Sequence, residues 1–294
     1  SFGAAIGIYR AAKTLNKKAY IVIDNPTSSI IPLMNTFRDN QDYEADMFVN
    51  NHEAKEIMDD NTLLVVVDTN KPSITQCEDL LYMAKMIVVL DHHRQGSDTI
   101  RNSVLSYIEP YASSASEMVA EILQYFTEGI RIRNVEADSI YAGIMIDTDN
   151  FMQKTGVRTF EAAAFLRRCG ADVTRVRKLF REDMNDYKAR GETIRNAELF
   201  RGQFAISECP SDYVDSPTVV GAQAANELLN IVGVKASFVL TEYKGVIYIS
   251  ARAIDEVNVQ IIMERMGGGG HLNMAGCQLE TVDLEGARSL LTST

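Results

Sequence analysis

The chain has 294 residues, 46% hydrophobic and 23% charged, an ordinary globular composition with length enough for two domains. Its formal net charge of −11 argues against a protein that tracks long nucleic acid on a basic stripe, so a phosphorylated substrate is expected to be small, its charge met by metal ions and a few local Arg residues. No apolar run approaches the roughly 18 residues of a membrane span, the first residues do not read as a secretory signal, and the four scattered cysteines (Cys77, Cys169, Cys209, Cys277) read as reduced thiols of a cytoplasmic protein rather than a disulfide frame or zinc site.

Ser1 is placed to cap a helix over 3–16, and a domain that opens on a helix cap reads as a fragment of something longer. Residues 19–24 read as a strand. Residues 63–67 and 86–90 have the near-continuous apolar character of buried parallel strands, and 104–108 reads as an edge strand. Helices are expected over 74–84, 114–128, 134–146, 159–169 and 172–181. This alternation predicts an α/β domain over 1–182, a mostly parallel, doubly wound sheet with helices on both faces. The charged stretch 183–201 reads as a linker helix. Beyond it come a strand over 203–207, a helix over 219–229 and a hairpin of 237–243 and 246–251 turning over Lys244-Gly245. A helix over 257–266, four glycines, a strand over 277–281 and a short helix complete a smaller α+β domain over 202–294.

The chemistry concentrates where apolar runs end. Asp68 follows Leu63-Leu-Val-Val-Val67, Asp91-His92-His93 follows Met86-Ile-Val-Val-Leu90, and Asp147 follows Tyr141-Ala-Gly-Ile-Met-Ile146. In a parallel sheet neighbouring carboxyl ends converge on one edge, the usual ligand edge of such sheets. Adjacent residues on extended backbone point opposite ways, so His92 and His93 are expected to divide the work, one on a metal and one facing substrate. An Asp/His set rich in oxygen suits Mn²⁺ better than a thiolate zinc site. Two ions roughly 3.5–4 Å apart can serve an in-line phosphoryl displacement, with Asp68 the natural bridge. Taken alone, Asp68 reads equally well as a turn or cap residue, and Asp147 reads better as one.

Gly267-Gly268-Gly269-Gly270-His271 lies between a helix and an apolar strand, where a flexible linker is out of place. Four glycines fit a backbone that approaches a ligand closely and offers N–H groups to a phosphate or base. Arg252, at the end of a strand, is a candidate cation beside it. Ser114-Ala-Ser-Glu117 is a capping box. A helix N-terminus also receives anions, which leaves Ser114 a second reading as a phosphate ligand.

Asp91-His92-His93 after its strand, with Asp68, Asp147 and the glycine-His string, resembles the DHH phosphoesterase superfamily with its DHH-associated C-terminal domain, over essentially the whole chain. Phe2-Gly-Ala-Ala-Ile-Gly-Ile, Ile146-Asp-Thr-Asp-Asn-Phe151 and Ile249-Ser-Ala-Arg252 are similar to one branch, the GdpP-type cyclic-di-AMP phosphodiesterases of Gram-positive bacteria. The resemblance implies that Asp68 bridges two Mn²⁺ ions, that His92 and Asp147 complete the second ion's ligands, and that Asp91 and His93 serve catalysis with His93 facing the phosphate. It implies that Gly267 to His271, Arg252 and Ser114 hold the nucleotide, and that cyclic-di-AMP is hydrolysed to linear pApA. It also implies a homodimer whose parent is tethered at the cytoplasmic face of the membrane behind upstream sensor domains. The branch's first motif, His-x-x-x-Asp-x-Asp, would fall just before Ser1. Without it the first metal is expected to bind poorly and turnover to be slow or absent. An oligoribonuclease acting on pApA and a nucleotide-binding module without activity stay open as alternatives.

Overall fold

A computed structural model describes residues 1–27, 30–254 and 257–294. The chain divides into two units, Ser1–Arg181 and Glu182–Thr294.

In the first unit, β3 (Leu63–Val67), β4 (Met86–Asp91) and β5 (Leu105–Ile108) form a parallel sheet in the order β3-β4-β5. A parallel pair, β1 (Ile21–Val22) and β2 (Phe48–Val49), is the other sheet of this unit. The Val/Ile/Leu run is continuous because both faces of the three-stranded sheet are covered. Val65, Val67 and Val88 pack on one cluster, while Leu64, Val66, Ile87 and Val89 belong to the other side. The first cluster is built on α1 (Phe2–Thr14), α5 (Ala115–Phe126) and α6 (Asn134–Asp147). Gly3 lets α1 lie against α6, since a Cβ there would stand 2.4 Å from the Ser139 carbonyl oxygen. The α7 (Val157–Arg168) and α8 (Val173–Leu179) helices complete this side through Ala162, Leu166 and Val176.

The expected α/β class and the parallel sheet are present, and 63–67 and 86–90 match β3 and nearly all of β4. The stretch 30–62 differs from expectation. It holds α2 (Ile31–Arg38), β2 and α3 (Asn51–Ile57), all too short to impose a clear period on the sequence. The helix expected over 74–84 is divided into a 3₁₀ turn, Pro72–Ile74, and α4 (Asp79–Met83). Local bonds explain the break: the Thr75 hydroxyl donates to the Pro72 carbonyl (2.7 Å), and Asn51 Nδ2 donates to the Gln76 carbonyl (2.9 Å), which a continuous helix would need.

The second unit is a six-stranded sheet in the order β10-β11-β9-β8-β7-β6, antiparallel except for β7 against β8. Its strands are β6 (Glu198–Phe200), β7 (Phe204–Cys209), β8 (Ala236–Tyr243), β9 (Val246–Ala253), β10 (Gly269–His271) and β11 (Met274–Leu279). The parallel pair requires a crossover, which α10 (Pro217–Leu228) supplies. On one face α10 and α9 (Met184–Arg195) bury Ala224, Leu228 and Ala189 against Ala205 and Val239. On the other, α11 (Val259–Arg265) and α12 (Leu284–Ser293) bury Met263 and Leu291 against Phe238 and Ile249. The charged helix read from sequence as a linker is α9, and it packs inside this unit.

Candidate active site

Because β3 and β4 run parallel in register, with Val67 opposite Leu90, their carboxyl ends finish side by side. The Asp68 N–H donates to the Leu90 carbonyl (2.9 Å), so the ladder carries one residue past β3 and sets Asp68 beside Asp91 and His92. Asp68 then turns the chain with φ +66°, a left-handed backbone that is uncommon for a non-glycine residue and clusters at functional sites.

His92 Nδ1 faces the Ala112 carbonyl at 3.3 Å and so carries the proton there. That leaves the Nε2 lone pair turned to Asp68 Oδ1, 3.3 Å away. The pair is not aligned as a hydrogen bond, and Asp68 Oδ1 is buried with no hydrogen-bond partner. A carboxylate oxygen and an imidazole lone pair sharing one small space is an arrangement that a cation relieves. His93 contributes a third atom: one ligand atom each from Asp68, His92 and His93 lie within 4.8 Å of one another. The Asp68 and His92 donors fit a divalent transition ion, and His93, its Nδ1 tied to Asp91, stands beside them.

Asp91 points the other way, into the protein, and is 0% exposed. Its Oδ1 accepts from His93 Nδ1 (2.7 Å) and from the His93 N–H (3.2 Å), and its Oδ2 accepts from Asn70 Nδ2 (2.6 Å). Burial works against the Asp91 charge, and the His93 and Asn70 bonds more than restore it, so the carboxyl sits below the usual range. An ionised Asp91 requires a proton on His93 Nδ1, which fixes the ring and directs Nε2 outward. The Asp91 bond holds the exposed His93 imidazolium above its ordinary pKa.

Asp147 comes from the last residue of α6 rather than from a strand. Burial, and then the charge of Asp68, push its carboxyl up. Mutual repulsion between two half-buried carboxylates is what a shared cation removes. Beyond it, Asp149, Asn150 and Phe151 have φ of +48°, +58° and +66°, a tight left-handed turn. Buried Thr148 anchors this turn by accepting from the Phe151 N–H at its hydroxyl (3.0 Å).

In the second unit the glycine string runs from a turn at Gly267 into a strand. Gly269–His271 forms β10 against β11, with Gly270 opposite Ala275 and His271 opposite Met274. A Cβ on Gly268 would stand 2.1 Å from the Gly276 carbonyl oxygen, and Gly270 combines φ +148° with a Cβ position 2.5 Å from Ala275 Cα. Those two are required by the fold. Gly269 meets nothing within 4 Å, so packing gives no reason for it. His271 is exposed. Arg252, on β9, donates to Asn226 Oδ1 (2.8 Å) and the Ala251 carbonyl (2.9 Å), and among the described residues it has no carboxylate partner. Burial lowers its pKa, the mark of a guanidinium without a counter-ion.

Ser114 is 0% exposed, and its hydroxyl accepts from the Glu117 N–H (3.0 Å) as the N-cap of α5. The expected phosphate contact at Ser114 is corrected accordingly: the hydroxyl is enclosed and committed to the cap.

Residues 1–144 match the DHH family, N-terminal domain, and residues 204–294 match the DHHA1 domain. This is a DHH–DHHA1 protein. It is 42% identical over 293 residues to the cyclic-di-AMP phosphodiesterase GdpP of Bacillus subtilis, spanning 98% of this chain and 44% of that protein. It is 38% identical to the cyclic-di-AMP phosphodiesterase PdeA of Listeria monocytogenes, again spanning 99% of this chain and 44% of the relative. The chain therefore spans somewhat under half the length of these curated relatives. A solved exopolyphosphatase-related protein from Bacteroides fragilis shares the fold with a TM-score of 0.81 at 20% identity, over 99% of this chain and 88% of that one.

Within the DHH domain, sequence reasoning missed Asn70. It is 2% exposed and joins Asp91 to the His93 carbonyl (3.3 Å). Its signal was the spacing in Asp68-Thr-Asn70, two residues past a strand end, which by itself also reads as turn chemistry. Among the described residues no helix is long and apolar enough to cross a membrane.

Proposed function

We propose that this chain is the catalytic part of a metal-dependent phosphodiesterase that hydrolyses cyclic-di-AMP to linear pApA. The observation that carries the reading is the Asp68–His92–His93 cluster at adjoining strand ends, with a buried Asp68 oxygen that accepts no hydrogen bond. The relatives of about 40% identity bear the name of that activity. Divalent ions, two Mn²⁺ in this reading, supply an activated water and neutralise charge on the phosphate when bound.

The residues divide the remaining work. Asp68, His92 through Nε2, and Asp147 would hold the ions, whose charge would relieve the repulsion between the two carboxylates. His93, positively charged and exposed with Nδ1 tied to Asp91, turns Nε2 toward the phosphate and donates to a non-bridging oxygen as charge builds there. Water adds to phosphorus, the bond to one 3′ oxygen breaks, and that oxygen leaves protonated. In the second unit this reading assigns Gly269, His271 and Arg252, which among the described residues has no carboxylate partner, to nucleotide binding. The same reading includes a homodimer held at the cytoplasmic face of the membrane.

The oligoribonuclease reading has one observation in its favour. The chain is 25% identical to the bifunctional oligoribonuclease and PAP phosphatase NrnA of Thermus thermophilus and spans 82% of it. One experiment separates the two. The chain with its upstream segment is incubated with Mn²⁺ and cyclic-di-AMP, with pApA in parallel, and products are resolved by chromatography. Conversion of cyclic-di-AMP that stops at pApA is expected. Cleavage of pApA alone would move the protein to the oligoribonuclease branch.

A further inference from the structure

Asn70 stands behind the reacting groups and touches none of them. It follows Asp68 by two residues, is 2% exposed, and makes three bonds, two of them to the DHH segment. Its Nδ2 donates to Asp91 Oδ2 (2.6 Å) and to the His93 carbonyl (3.3 Å), and its own carbonyl accepts from the Ile100 N–H (2.9 Å). Asp91 is fully buried, so its two oxygens have few partners to choose from. With Oδ2 held by Asn70, Oδ1 is left to His93 Nδ1. Asn70 therefore controls, through one carboxylate, which nitrogen of an exposed imidazole carries the proton. Through the His93 carbonyl it also fixes the backbone from which that imidazole projects.

We infer that Asn70 is a positioning residue: its side-chain amide locks the Asp91 carboxylate and the His93 carbonyl so that His93 keeps its proton on Nδ1 and presents Nε2 to the site. Two alternatives fit less well. As a turn former, Asn70 would be exposed and bonded to its own neighbours, whereas its amide reaches residues 21 and 23 positions away. As a metal ligand it would aim its side-chain oxygen at Asp68 and His92, but it joins no ligand cluster among the described residues. Its Oδ1 is buried without a partner, a cost that makes sense where the Nδ2 bonds decide the orientation of the amide. This inference rests on the reading of Asp68, His92 and His93 as one site.

The test exploits the histidine count. The chain has four histidines, so its imidazole nitrogens can be resolved by long-range proton–nitrogen NMR and the His93 signal identified with His93→Gln. The variants are Asn70→Asp, equal in size but without the donor, and Asn70→Ser, which cannot reach. In the unchanged protein a neutral His93 is expected as the Nδ1–H form. Both variants are expected to shift it toward the mixed or Nε2–H form, with the His271 signals unmoved. Mn²⁺ affinity, read by electron paramagnetic resonance, is expected to stay unchanged, because Asp68 and His92 hold the ion, while the pH profile of turnover is expected to shift with the His93 tautomer. A His93 that keeps the Nδ1–H signature in a folded variant overturns the inference, as does a variant with altered His93 but an unchanged pH profile of turnover. If Asn70→Asp fails to fold, Asn70→Ser decides. An unchanged protein that binds no Mn²⁺ yet shows the Asn70-dependent tautomer would defeat the metal reading and leave the assignment of Asn70 standing.

Discussion

Each glycine of the 267–270 string answers to a different demand, and substitution separates them. Gly268→Ala drives a methyl group into the Gly276 carbonyl and Cys277, and is expected to destabilise the second unit by about 1–3 kcal/mol in urea unfolding. Gly269→Ala meets open space and should change stability by less than about 0.5 kcal/mol. If a nucleotide lies over that backbone, the same substitution should weaken binding of pApA measured by calorimetry. Undiminished binding would leave Gly269 without a role. The sequence carried these residues as a string, since one letter cannot distinguish a steric requirement from a ligand contact. It carried Asp68, His92 and His93 more clearly, because an apolar run ending in Asp or His marks a strand end directly. Asn70 was illegible for the opposite reason: its importance lies in partners 21 and 23 residues away.

At the scale of elements, α1 and α6 are joined by charge as well as by close packing. Arg10 makes paired bonds to Glu136 through Nε (2.8 Å) and Nη2 (2.5 Å), and Glu136 is 0% exposed. Glu136 also accepts from the Tyr43 hydroxyl (2.9 Å) and the Arg133 N–H (2.9 Å). Burying a carboxylate is tolerable only with that guanidinium beside it, and Arg10→Met leaves the charge uncompensated. The expected loss is about 3–5 kcal/mol in urea unfolding, and a loss under about 1 kcal/mol would mean the pair is incidental. The α6 helix matters beyond stability because its last residue is Asp147, so a slip of α6 moves a site carboxylate. Long elements with a single period, β3, β4, α5 and α6, were legible in the sequence. The short ones between residues 30 and 62 were not, because two-residue strands and one- to two-turn helices are fixed by tertiary partners such as Phe37, Met47 and Val49 rather than by their own pattern.

On the scale of the whole chain, the acidic balance and the local site divide the electrostatic work. A net charge of −11 repels polyanions in general, while within the first unit His92 and His93 stand together at the ends of adjoining strands. The second unit owns cores on both faces of its sheet, one under α9 and α10 and one under α11 and α12. Residues 182–294 produced alone are accordingly expected to unfold in one cooperative transition with dispersed NMR signals. A molten, uncooperative product would show that this unit depends on the rest of the chain. The α/β order and the change of pattern after residue 182 were legible because helices and strands alternate with different periods. The true length of the glycine strand was not, since β10 contains no apolar residue to announce it.

The central claim is that a divalent metal is held where β3 and β4 end. The most direct measurement is anomalous X-ray scattering at the manganese edge from crystals of the chain with its upstream segment, grown with Mn²⁺. The account predicts a peak within bonding distance of Asp68 and His92 Nε2, lost in Asp68→Ala. Strong peaks elsewhere with none at Asp68, in protein that is folded and active, would contradict it.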